Sequence, residues 1–156
     1  MKKLLLITCM AAILAVTSCK KEETHGTYYA KCKIDGVDFE ATTITYTNPY
    51  SNGYIIDISK TGYPHHLMFN VSDDTTGQAP VVGVKNLNSS SSYIMGVMDV
   101  GFASGGWSST YSGSGSINVT EVTSANIRGT FNSLLYHYYN ASLKTVTGGE
   151  FNIQRN

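Results

Sequence analysis

His65 and His66 are the only adjacent histidines in this sequence. A metal site needs several ligands that converge on one point. Neighbouring residues of an extended chain point to opposite faces, so this pair cannot close on one ion. His25 and His137 lie far away and show no metal-ligand spacing. Asp73-Asp74 opens a polar stretch, but a calcium ion takes about six to eight oxygens, and no dense acidic motif surrounds the pair. The expectation is a solvated loop, with no metal and no cofactor. A serine nucleophile at Ser108 or Ser114 has no Gly-x-Ser-x-Gly elbow and no histidine or aspartate nearby in sequence. Acid–base hydrolysis of a glycoside needs two facing carboxyl groups, which would have to come from Asp57, Asp99, Glu121 or Glu150. Glu121 is the unusual member, because it falls in register with Ile117 and Val119. A strand-end or edge position explains it more simply than a tuned acid. Trp107, the one tryptophan, sits among glycines with Tyr111 close by. Such rings can stack on a sugar or anchor an interface, and they are equally good strand residues. The chain therefore reads as non-enzymatic, with Trp107 and Tyr111 as candidate ligand contacts for a glycan or protein.

The N-terminus carries more specific chemistry. Lys2 and Lys3 precede an apolar run without charge from Leu4 to Val16. That run is shorter than the ~20 residues of a membrane-spanning helix and suits a signal peptide. It has no polar face, as a core helix would. Val16-Thr17-Ser18-Cys19 resembles the bacterial lipobox. The resemblance implies cleavage before Cys19 and acylation of its sulfur and new amine, which gives the two or more chains that stable anchoring requires. An ordinary secretory signal cut nearby is the alternative. Lys20-Lys21-Glu22-Glu23 resembles the export tag of Bacteroidota lipoproteins sent to the outer face of the outer membrane, and also suits a plain solvated tether facing the periplasm. These readings divide the chain into a signal peptide (1–18), a lipidated polar tether (19–27) and a domain (28–156). Removing 1–18 takes two lysines and leaves nine basic against eleven acidic residues. That balance leaves no basic footprint for nucleic acid. Of three cysteines only Cys32 stays unmodified in the domain, so no intrachain disulfide can form. In register with Tyr28, Ala30 and Ile34, it reads as a buried strand residue.

Behind these candidates lies a chain rich in Gly, Ser, Thr, Asn and Tyr with 14% charged residues. Period-two alternation recurs at 54–60, 66–72, 116–122, 125–139 and 145–155. Further strand signals fall at 28–34, 37–46, 81–87 and 93–102. Asp35-Gly36 is a two-residue hairpin signal and 48–53 a turn cluster. Residues 103–116 form a Gly/Ser-rich connection that includes part of a strand. In 116–122, Ile117, Val119 and, if the alternation continues, Glu121 share one face. About eight to ten short strands predict an all-β, antiparallel sandwich or barrel, with the last three strands a meander that finishes the sheet.

Gly115, Ile117, Val119 and Thr120, then Gly129, Thr130 and Phe131, then Gly149, Phe151 and Ile153, together with the early Asp35-Gly36, resemble the pattern of a family of small Bacteroidota lipoproteins of uncharacterised function. The resemblance covers the signal, the first hairpin and roughly the last 45 residues. It implies an all-β fold and an outer-membrane location and brings no catalytic residues. The functional expectation is an outer-membrane-anchored, surface-exposed lipoprotein that acts as a binding or structural accessory. A carbohydrate-binding module, a hydrolase and a lipocalin-like carrier are the alternatives.

Overall fold

Period-two alternation decides most of the architecture. The structure, a computed structural model, describes residues 27–50, 53–71, 80–87, 95–99, 106–110, 112–137 and 139–155. Within them every regular element is a strand: β1 (Tyr29–Ile34), β2 (Val37–Glu40), β3 (Thr43–Tyr50), β4 (Gly53–Ser59), β5 (His65–Asn70), β6 (Gly83–Leu87), β7 (Met95–Asp99), β8 (Gly106–Ser108), β9 (Ser114–Val122), β10 (Asn126–His137) and β11 (Leu143–Gln154). All ladders are antiparallel. The fold is all-β, as the alternation predicts.

Asp35 and Gly36 both take positive φ, 51° and 80°, and Ile34 pairs with Val37. That is the two-residue hairpin whose twist matches the strands it joins. The single strand expected over 37–46 is broken. The Ala41 N–H donates to the Ala30 carbonyl beside β1, and the Thr42 N–H donates to the Ser59 carbonyl of β4, each at 2.9 Å. The chain thus leaves one ladder and joins another within a single peptide step. Strands that change partners at such a bend make the corners of closed sheets. The hydrogen-bonded path β2-β1-β11-β10-β8-β7-β5-β4-β3 begins and ends on the two halves of this bent strand, so the sheet curls back on itself.

Two further departures stand beside one expectation that the structure meets. The turn cluster at 48–53 is largely strand: β3 runs to Tyr50 and β4 starts at Gly53. Pro49 is tolerated because β3 ends the path, and its missing N–H coincides with a register shift between Thr47 and Tyr50. The Gly/Ser-rich connection yields β8, three residues centred on Trp107. The final three strands do form a meander, but it does not finish the sheet, since β1 adds to the free side of β11.

The other side of β10 is shared: residues 127–134 pair with β9, and Tyr136 and His137 pair with β8. With β6 attached to β9, the sheet forks there. Phe69 of β5 meets Phe131 of β10 at 4.9 Å and Phe151 of β11 at 5.3 Å between ring centroids. Ile56, Ile58, Leu67, Val97, Ile117, Val119, Ile127 and Leu135 fill the space around these rings.

The strands define two ends. At one end Asn126 pairs with Gln154, and Tyr29 with Asn152. At the other lie the Asp35-Gly36 turn and the β10–β11 turn. β10 is 12 residues long, which at about 3.3 Å per residue separates the ends by roughly 36 Å. Asn152, only 4% exposed, fixes the start of the domain. Its side-chain amide donates to the Thr27 carbonyl at 2.6 Å, and its oxygen accepts from the Asn126 amide at 2.9 Å.

Candidate functional site

The Asp35 end carries a cluster of polar and aromatic side chains. The alternation puts Leu67 and Phe69 into the core, so His65 faces inward and His66 outward. The His66 Nδ1 lies 3.4 Å from the Asp57 carboxylate on the outer face. His65 instead stands edge-on to Trp107 at 5.6 Å, and His137, the last residue of β10, packs edge-on to the same indole at 4.9 Å. Tyr63, just before β5, continues the row, edge-on to His65 at 5.5 Å and to Phe39 at 5.2 Å.

One face of Trp107 is covered. The Lys144 ammonium sits 4.2 Å from the ring centre and 3.2 Å from the Asp35 carboxylate. Its side chain is only 12% exposed, a setting in which cation–π and ionic contacts are stronger than in water. The indole N–H donates to the Ser142 hydroxyl at 2.9 Å, and that hydroxyl donates to the Asn140 carboxamide at 2.7 Å. Trp107 therefore serves as the keystone where β8, β10 and β11 meet, with its N–H and one face engaged within the fold. Tyr111, like Cys19, His25 and Asp73-Asp74, lies outside the described residues.

Asp35 ties the first hairpin to β11. Its carboxylate accepts from the Thr145 N–H at 2.7 Å, the Thr145 hydroxyl at 3.3 Å and Lys144. Burial by itself would raise this carboxyl, but those donors outweigh it and hold the group below the usual carboxylate range. Burial, followed by the charges of Asp35 and Cys32, pushes the Tyr63 phenol up.

The β10–β11 turn is strained. Ala141 has a φ of 56°, a left-handed conformation that costs an L-residue about 1–2 kcal/mol. Three bonds hold it: Ala141 N–H to the His137 carbonyl at 3.1 Å, His137 N–H to the Ser142 carbonyl at 2.9 Å, and Ser142 N–H to the Asn140 side chain at 3.0 Å. Ala141→Gly is expected to raise stability by about 0.5–1 kcal/mol, net of glycine's greater unfolded-state entropy. A urea midpoint that moves up at constant slope is the check.

The other sequence candidates are not brought together. Glu121 does not continue the inward face of Ile117 and Val119. A register shift between Arg128 and Gly129 inserts an extra residue in β9, so Glu121 pairs with Arg128 at 3.5 Å and Val122 turns toward the core. Bulges reset alternation in this way. Glu150 faces Lys31 at 3.7 Å, and the Asp99 side chain lies outside the description. Asp57, Glu121 and Glu150 thus each have their own basic partner. The Ser108 hydroxyl bonds Thr110 at 2.9 Å, and the Ser114 carbonyl accepts from the Ser133 hydroxyl at 2.9 Å. No group of three or more metal-binding side chains forms among the described residues. A separate concavity of about 410 Å³ lies over β1, β2 and β11. Lys31, Lys33, Asp38, Glu40 and Glu150 line it, and Lys33–Asp38 and Lys31–Glu150 neutralise each other within it.

Sequence reasoning found Trp107 but missed Lys144 and Asp35 as its supports. Asp35 was visible only as a turn residue, and its sequence separation of 109 from Lys144 leaves no local signal of their contact. No family model, no curated protein and no solved structure matches this chain.

Proposed function

We propose that this chain is a lipid-anchored envelope protein. Cys19 carries the lipid in the outer membrane, and the β domain faces the cell exterior as a non-enzymatic binding or structural accessory. The observation that carries this reading is the Asn152 clamp on Thr27, taken with the lipobox-like Val16-Thr17-Ser18-Cys19. The clamp places Thr27 at one end of the sheet. Residues 19–26, fully extended, reach about 28 Å, so an anchor at Cys19 would keep that end near the bilayer and present the Trp107 end outward.

The rest of the molecule suits a presenting scaffold. Phenylalanine rings occupy the space that a carrier would leave open for an apolar ligand. Asp57, Glu121 and Glu150 stand apart with separate partners, which favours a non-catalytic role over a hydrolytic acid pair.

Detergent partitioning tests the reading. Wild-type protein expressed with its full N-terminus is expected in the detergent phase of Triton X-114, and Cys19→Ser in the aqueous phase. A Cys19→Ser form that partitions like the wild type would overturn it. Protease treatment of intact cells tests the outward orientation, with cleavage expected and full protection counting against it.

A further inference from the structure

A further bond of the β10–β11 turn ends on an imidazole nitrogen. His137 is 5% exposed, and its Nδ1 accepts the backbone N–H of Tyr139 at 3.3 Å. Nδ1 accepts that bond only without a proton, and an imidazolium nitrogen can only donate. The turn it steadies is the strained one at Ala141, and the same turn supplies the Ser142 hydroxyl that receives the Trp107 N–H. Tyr139, at the tip, is 78% exposed.

We propose that His137 is a proton switch for this end of the domain: a proton on Nδ1 releases the Tyr139 amide, loosens the β10–β11 turn and detaches Ser142 from Trp107. A charge on His137 would meet other charged and titratable groups. Lys144 of β11 already places one positive charge on the Trp107 ring at 4.2 Å, and a charged His137 would add a second at 4.9 Å. His65 of β5 bears on the same indole, Tyr63 lies beyond His65, and Asp35 of the β1–β2 turn compensates Lys144. Asp35 is held below its ordinary range and stays charged across the pH interval in which histidines change charge, about 5 to 8. The switch would alter the aromatic surface at the end opposite Thr27, and it does not depend on the lipid anchor.

Amide hydrogen exchange at Tyr139 tests it, with rates corrected for the pH dependence of an unstructured chain. In the wild type the amide is expected to be protected at about pH 8 and to lose that protection at a lower pH at which the domain is still folded, together with a loss of Trp107 emission over the same range. The single tryptophan makes Trp107 the emitter, and amide exchange at Tyr139 separates His137 from His65, which contacts the same indole. His137→Asn puts a carboxamide oxygen near the Nδ1 position and cannot be protonated, so Tyr139 should stay protected at both pH values. His137→Phe has no acceptor and should leave it unprotected at both. Retained protection in the wild type at the lower pH overturns the switch, as does a loss at that pH in His137→Asn.

Discussion

Gly129→Ala is expected to destabilise the domain by about 1–3 kcal/mol, and Phe151→Ala by about 3–5 kcal/mol. Both effects come from one packing device. Gly129 of β10 pairs with Phe151 of β11, and Phe131 of β10 pairs with Gly149 of β11. Each ring lies across the glycine opposite. A methyl on Gly129 would run into the Asn118 carbonyl oxygen of β9 as well as stand 2.5 Å from the Phe151 ring, and one on Gly149 would overlap Phe131. The two rings then meet Phe69 across the interior, so the glycines leave the space in which the two halves of the sheet interlock. A double-mutant cycle separates this account from a general weakness of the strand. Gly129→Ala should cost less in a Phe151→Leu background, because the smaller side chain vacates the overlap. Equal costs in both backgrounds, read from denaturant midpoints, would mean that ring overlap is not the cause. The device also gives a physical reason for the spacing Gly-Thr-Phe followed by Gly-x-Phe, which the sequence displays without explaining.

Cys32 should label about a thousandfold more slowly in the native protein than in the unfolded chain at mildly alkaline pH. Its thiol is buried, and burial pushes it up from 9.0 to about 12. The thiolate is the reactive form, and three units of separation reduce its population about a thousandfold below both values. Side-by-side alkylation with and without urea measures the ratio, and native labelling at the unfolded rate would contradict burial. The same shift sets a sign for stability. A folded thiol that titrates above the unfolded one favours the native state fully at pH values below 9.0, and that contribution is lost as the pH rises toward about 12. Substitution of Cys32 by Ala should flatten the alkaline slope, whatever its packing cost.

The legible part of this fold was local. Asp35-Gly36 announced its turn because two positive φ values in succession favour few residue pairs. Cys32 was placed inward by its register with Ala30 and Ile34, and the outward turn of His66 relative to His65 followed from alternation alone. What escaped the sequence were features decided by partners far along the chain. Glu121 fell in register with Ile117 and Val119, and the extra residue that turns it away from them cannot be seen until its neighbour is known, although its place near the end of β9 agrees with the strand-end reading. The Ala41–Thr42 bend carries no proline or glycine, and its cause is the switch from the Ala30 to the Ser59 carbonyl. Trp107 read as exposed or packed with equal ease, because the residues that cover it, Lys144, Ser142 and His137, arrive from the far end of the chain. The candidate site was thus legible as a residue and illegible as an environment.

The central claim is that a lipid on Cys19 holds this β domain at the envelope by its Thr27 end. The most direct measurement is the intact mass of the mature protein extracted from membranes, followed by fragmentation of its N-terminal peptide. The account predicts a chain that starts at Cys19 and carries two or three acyl chains on that residue. A mature chain that starts elsewhere, or a Cys19 with an unmodified thiol, would contradict it.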